Sequence, residues 1–241
     1  METIEIKNIE GKVLYSYTCE NNSISKTLEQ ASREYICLDY ANLSGKVIED
    51  ITLIHLDLNK ANFTESIFKN VIISNSYLNF ANLQYAKIKN TQFINTTCCH
   101  SNFTSSFISN SLFSGCILDY ALFCRADIIN SEFKSRMWDT NFIGALFNNV
   151  NYQDNIIKNT HDVACIGNIG SRNSYTTVFN TDKGIFVSCG CFFGTLKKFK
   201  RAVLIEHKRH PQYKKEYLNM INYVQKKFKP KFSLKNIFKY E

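Results

Sequence analysis

Proline and glycine are scarce in this chain of 241 residues, with two and nine copies. That excludes a collagen-like, linker-rich or low-complexity protein. No apolar run approaches the roughly 20 residues that a membrane-crossing helix needs. The opening stretch, METIEIKNIEGK, holds no basic segment followed by an apolar one, so no secretory leader is expected. Nine cysteines occur at irregular spacing without a CxxC pair, and the five histidines do not cluster with them. Neither a zinc site nor a disulfide framework is expected from that pattern, and no metal or cofactor is called for. The thiols fit a reducing compartment, which points to the cytosol.

A net positive charge is missing from most of the chain. The net charge is +8 in total, yet residues 1–35 and 36–157 are each −2 and residues 158–241 are +12. Attraction to a polyanion therefore belongs to the last third.

What the sequence does have is a beat of five. Every fifth position from Leu38 to Trp138 is apolar, twenty-one in a row. Seven are Leu, seven Phe, five Ile, with Cys98 and Trp138 completing the set. A period of five is neither the 3.6 of a helix nor the 2 of a strand, so it marks a solenoid. Two residues before each centre the side chain is small or short in 16 of 21 cases, as at Ala41, Ala61, Ser66, Ala81 and Ala126. Residues two apart on extended chain share a face, so each unit sends one small and one large group inward and must then turn a corner.

The number of sides is also written in the chain. Ala41-Asn42-Leu43, Ala61-Asn62-Phe63, Ala81-Asn82-Leu83 and Ser101-Asn102-Phe103 recur at 20 residues, with Ala121-Leu122-Phe123 as a degraded copy. Four units per turn stack these segments, and their Asn side chains are expected to form a ladder. Trp138 is expected to plug the open end of the core, with the beat slipping by one residue at Phe142, Phe147 and Tyr152.

The units ANLSG, ANFTE, ANLQY and ADIIN resemble the pentapeptide-repeat family, whose pattern is Ala-Asp/Asn-Leu/Phe-x-x. The resemblance implies a mainly β fold, a right-handed quadrilateral parallel β-helix. It also implies a N-terminal strand-pair and helix cap over residues 1–35, a β-helix over 36–157, and a C-terminal α+β module over 158–228. A basic tail, 229–241, follows. The segment Ile166–Leu196 resembles a module of phage and prophage members, which implies a phage, bacterial or effector setting. The location is then the bacterial cytosol, or the host cytosol for an effector.

In the cap, strands are expected over Glu2–Lys7 and Lys12–Thr18, and a helix over Ser23–Glu34 with Ser25 as N-cap. In the C-terminal module a hairpin is expected around Thr181–Gly184. One helix is expected from Thr195 to about Lys208, and another over Gln212–Phe228.

Several groups invite a functional reading. Ser171, Arg172, Tyr175 and Thr176 are candidates to hold a phosphate or carboxylate; the plain alternative is a turn entering a hairpin. Cys189-Gly190-Cys191 with His161 or His207 suggests a thiol nucleophile, against which stands a structural role. Outward apolar residues recur on alternate coils as a partner-binding surface: Ile67, Ile72, Tyr77, Phe80 and Tyr85, then Phe107, Leu112, Ile117, Tyr120 and Leu122. The coil between them reads as more polar, with Lys87, Gln92, Thr97 and His100.

The leading expectation is a non-catalytic protein that presents a rigid surface to a protein partner. A ligand-binding or catalytic C-terminal module mounted on the rod is the first alternative. Mimicry of duplex DNA, which the resemblance also implies for topoisomerase-protecting members, needs a far more acidic rod than −2. A homodimer through the C-terminal helices is open, as is contact of the basic tail with nucleic acid or an anionic membrane.

Overall fold

The computed structural model describes residues 1–171 and 173–228. Arg172 and the basic tail 229–241 lie outside the described residues.

The five-residue beat folds into a four-sided parallel solenoid. The twenty centres from Leu38 to Phe133 are each no more than 1% exposed. Two walls are ladders of short strands, most of three residues, that rise by 20 residues per step. One runs Val47–Glu49, Ile67–Lys69, Lys87–Lys89, Phe107–Ser109 and Asp127–Ile129. The next begins at Thr52–Ile54 and climbs through Ile72–Ser74, Gln92–Ile94 and Leu112–Ile117 to Glu132–Arg136. The other two walls are held by single bridges, Asn42 to Asn62 to Asn82 to Asn102 and Cys37 to Asp57 to Tyr77 to Thr97 to Ile117.

Each corner has a local cause. The residue two after a centre takes positive φ, as at Lys60 (58°), Glu65 (60°) and Asn70 (53°). After Leu58 and Phe63 the turn is closed by a backbone bond from Ala61 N to Leu58 O and from Ser66 N to Phe63 O. The chain can then turn a corner every five residues without proline and with little glycine.

Aromatic stacking fills the upper core. Phe93, Phe113 and Phe133 form one column, with centroids 4.7 and 4.8 Å apart and planes 3° from parallel. Phe103 stacks on Phe123 at 4.6 Å and meets Phe113 edge-on at 5.9 Å. The stacking distance is the spacing between adjacent strands, so the backbone ladder places the rings in contact.

Three expectations need correction. The Asn42, Asn62, Asn82 and Asn102 column is not chiefly a side-chain ladder. Asn62 Nδ2 donates to Asn42 Oδ1 at 3.3 Å, but Asn62, Asn82 and Asn102 each accept from the backbone N–H two residues on. This is the local bond that asparagine side chains favour at turns. The ladder stands on a corner instead, from Asp50 through Asn70 and Asn90 to Asn110, at 2.7, 3.0 and 3.3 Å.

The beat slips earlier than expected, and Trp138 is not the plug. Trp138 is 42% exposed and Met137 is 4% exposed in its place. The register changes from 20 to 19 between Ser114–Lys134 and Ile117–Arg136. A unit that is one residue short thus brings Ser135 and Met137 inward, turning Trp138 out, where the Arg136 guanidinium lies 4.8 Å from its ring. The plug is Tyr152 packed on Phe179, centroids 4.5 Å apart.

The front cap is the strand pair Glu2–Lys7 and Val13–Cys19 with α1 (Ile24–Arg33). Its N-cap is Ser23, whose hydroxyl accepts from Lys26 N at 3.1 Å. Ser25 is buried and accepts from Glu49 N at 2.9 Å, so α1 covers the first strand edge rather than capping itself there.

At the far end Val163–Ile169, Ser174–Thr181, Gly184–Cys189 and Phe192–Thr195 form an antiparallel sheet in that order. Alternation along Ser174–Thr181 gives the sheet two apolar faces. Phe179 joins the solenoid core, while Val178 joins Phe199, Val203, Ile221 and Val224 of α2 (Leu196–Glu206) and α3 (Pro211–Lys227). Thr195 caps α2, accepting from Lys198 N. Among the described residues no helix is long and apolar enough to cross a membrane.

Candidate interaction corner and cavities

Two corners depart from the chemistry that positive φ favours: one carries Glu65, Tyr85, Ser105 and Arg125, and the other carries a run of stacked rings. Along the corner at Asp50, Asn70, Asn90, Asn110 and Asn130, the residues are the Asn/Asp types that take left-handed backbone most readily. The corner at Tyr40, Lys60, Phe80, His100 and Tyr120 carries large side chains at φ of 63°, 58°, 59°, 56° and 59°. Left-handed backbone costs an L-residue roughly 1–2 kcal/mol.

These side chains stack along the rod. Phe80 and His100 have centroids 4.8 Å apart and planes 2° from parallel; His100 and Tyr120 follow at 4.9 Å and 6°. Below them Lys60 Nζ donates to Tyr40 Oη at 2.7 Å and lies 4.9 Å from that ring. Tyr40, Phe80 and Tyr120 remain 47%, 54% and 49% exposed. Tyr77 (49%) and Ile117 lie on the adjoining wall.

The ten residues singled out from sequence therefore do not share one surface: Tyr85 turns a different corner at φ 60°, and Leu122 bridges Asn102 on the wall beyond Tyr120. Tyr77, Phe80, Ile117 and Tyr120 come together on this corner and its wall. Ile67 and Phe107 stand on a second wall, and Ile72 and Leu112 on a third. His100 was grouped with the polar coil; its place in the stack is visible in sequence only along the 20-residue column that includes Phe80 and Tyr120.

Above Tyr120 the stack ends at a cavity of about 670 Å³ lined by Tyr120, Leu122, Asp139, Asn173, Ser174 and Tyr175. Ser174 Oγ donates to Asp139 Oδ1 at 2.6 Å. Ser171 lines a different cavity, and Thr176 is 1% exposed with its hydroxyl on Cys189 Sγ at 3.1 Å. Of the sequence-selected set, Tyr175 and Ser171 thus face separate spaces.

Most thiols in the rod are shielded. Burial pushes Cys98 well above the ordinary thiol range and raises Cys116, Cys124 and Cys165 as well. Cys189 and Cys191 instead line a cavity with Ser171, His207 and Tyr217. No cluster of three or more His, Cys, Asp or Glu fit to hold a metal is found among the described residues.

Residues 49–84 and 81–118 match the family model described as pentapeptide repeats, in eight copies. No curated protein matches the chain. Among solved structures, a trypsin-treated form of QnrB1, a plasmid-mediated fluoroquinolone resistance protein, is 13% identical with a TM-score of 0.25, over 46% of this chain and 67% of its own. HetL, a pentapeptide repeat protein involved in heterocyst differentiation regulation from the cyanobacterium Nostoc sp. strain PCC 7120, is 20% identical at 0.26, over 47% and 58%. Rfr23 from the cyanobacterium Cyanothece 51142 is 16% identical at 0.18, over 44% and 64%. The chain thus covers less than two thirds of HetL and of Rfr23. Likeness at these scores says nothing about activity.

Proposed function

We propose that this chain, a pentapeptide-repeat protein by its solenoid, is a non-catalytic binding protein that docks a protein partner along the Tyr40–Tyr120 corner. The observation that supports the reading is the exposed stack of Phe80, His100 and Tyr120 on backbone that disfavours them. Strained backbone and open aromatic surface are both costly to keep, and they coincide here. Tyr77 and Ile117 widen the same surface, giving it the aromatic content that interface cores favour. The rod supplies rigidity, so little ordering is required on contact.

Photocrosslinking in cells of the source tests the reading. A photoreactive phenylalanine at position 80 or 120 is expected to trap a discrete protein adduct, whereas the same group at position 90, on a different corner, is not. Equal trapping from both corners, or none from position 80 or 120, would remove the reading.

A second reading, a small-ligand site, is favoured by the cavity between Tyr120 and Tyr175 with Asp139 and Ser174 at its wall. A thermal-shift screen in which a ligand stabilises the protein but not its Tyr175→Ala variant would support it.

A further inference from the structure

We propose that Cys189 and Cys191 are a thiol–disulfide pair that hydroperoxides oxidise, giving the C-terminal region a covalent modification site. Both residues line one cavity of about 420 Å³ beside the turn that joins Gly184–Cys189 to Phe192–Thr195. Only Gly190 separates them, and its φ of 55° folds the chain there. Residues two apart are at most about 7 Å apart between Cα atoms and closer at a turn. A disulfide needs roughly 4.4–6.8 Å.

The two thiols have different surroundings, and the difference assigns their order. Cys191 is exposed. Cys189 is half-buried, with Thr176 Oγ1 at 3.1 Å and Tyr217 Oη at 3.9 Å from its sulfur. The thiolate of Cys191 attacks one oxygen of hydrogen peroxide, the O–O bond breaks, and a sulfenic acid forms as hydroxide leaves and takes a proton to become water. Cys189 then loses its proton and attacks the sulfenic sulfur. The S–S bond forms, the S–O bond breaks, and a second water departs. Two thiols are oxidised and one peroxide is reduced to two waters. The imidazole of His207, stacked on Tyr217 at 5.3 Å, lines the same cavity.

The other cysteines are less suited. Cys98 and Cys116 are sealed in the solenoid, out of a peroxide's reach. Cys37 is exposed, on the opposite end of the rod, and serves as the internal reference.

The test is mass spectrometry on the full chain after graded hydrogen peroxide, with peptide mapping. A loss of two hydrogens on the peptide holding Cys189 and Cys191, at a peroxide dose at least tenfold below that which oxidises Cys37, is the expected result. In Cys189→Ser the sulfenic acid at Cys191 should persist and be trapped by dimedone. A disulfide elsewhere, oxidation of Cys37 at the same dose, or no reaction at either thiol overturns the proposal. Circular dichroism of the serine variant shows that its fold is intact.

Discussion

Phe80 and His100 lie face to face on an outer corner of the solenoid, one coil apart and 2° from parallel. Neither ring is needed to fill the core, and both sit where asparagine would cost less backbone strain. Their contact is worth about 0.5–1.5 kcal/mol as an aromatic pair, similar in size to the strain it offsets. Stability alone does not select it.

The first prediction follows from that balance. Phe80→Asn and Tyr120→Asn should leave the melting temperature within roughly 4 °C of the parent, since about 1 kcal/mol shifts it by some 2–4 °C in a chain of this size. A larger drop in a calorimetric scan would mean that the stack is a structural brace.

Inward rings should behave differently. Phe113→Ala removes the middle of a buried column and should cost about 3–5 kcal/mol. Trp138→Ala, on the exposed side of the slipped beat, should cost less than about 1 kcal/mol. Chemical denaturation of the two variants checks the order; comparable losses would mean that Trp138 is buried after all.

Gly170 tests the seat of the C-terminal helices. It takes a φ of +73°, and a β-carbon there would lie 2.0 Å from Tyr217 Oη and 2.1 Å from Cζ. Gly170→Ala should destabilise by about 1–3 kcal/mol, as overpacking does, and quicken labelling of Cys189 by a maleimide. Unchanged labelling would show that Tyr217 moves without disturbing the thiol.

Alkali should unfold the protein through two phenols. Burial, then the bond to Glu34, pushes Tyr15 up to about 12, and burial alone does the same for Tyr152. A folded-state value above the unfolded value of 10.0 means that the native state holds the proton more tightly. Their stabilising contribution is therefore complete below pH 10 and lost as pH rises toward about 12. Equilibrium denaturation across that range should show falling stability, and Tyr152→Phe should flatten the fall.

The chain made its architecture legible because one period governs burial. A break at any centre from Leu38 to Phe133 would have been visible, and all twenty are buried. The slip was harder to read, because Trp138 satisfies the beat while Met137, equally apolar, satisfies the 19-residue register that the backbone adopts. Ser23 and Ser25 were ambiguous for a similar reason: either serine can cap, and the contact of Ser25 with Glu49 is set by tertiary packing.

The candidate interaction corner was half legible. Phe80 and Tyr120 stood out as exposed aromatics, but His100 is polar by composition and joins them only through stacking at 20 residues. Ile67 and Ile72 drew notice as apolar, yet they lie on other walls. Sequence gives the column of a residue readily, but its neighbours across a corner depend on where the chain turns.

The most direct measurement is the affinity of the captured partner for the Phe80→Asn, Tyr120→Asn double variant, beside a control changed at Ile72 and Leu112 to Asn. If the corner is the docking surface, the first protein, still folded, binds at least a hundredfold more weakly and the control binds as the parent does. Undiminished binding by the first, or equal loss in both, would contradict it.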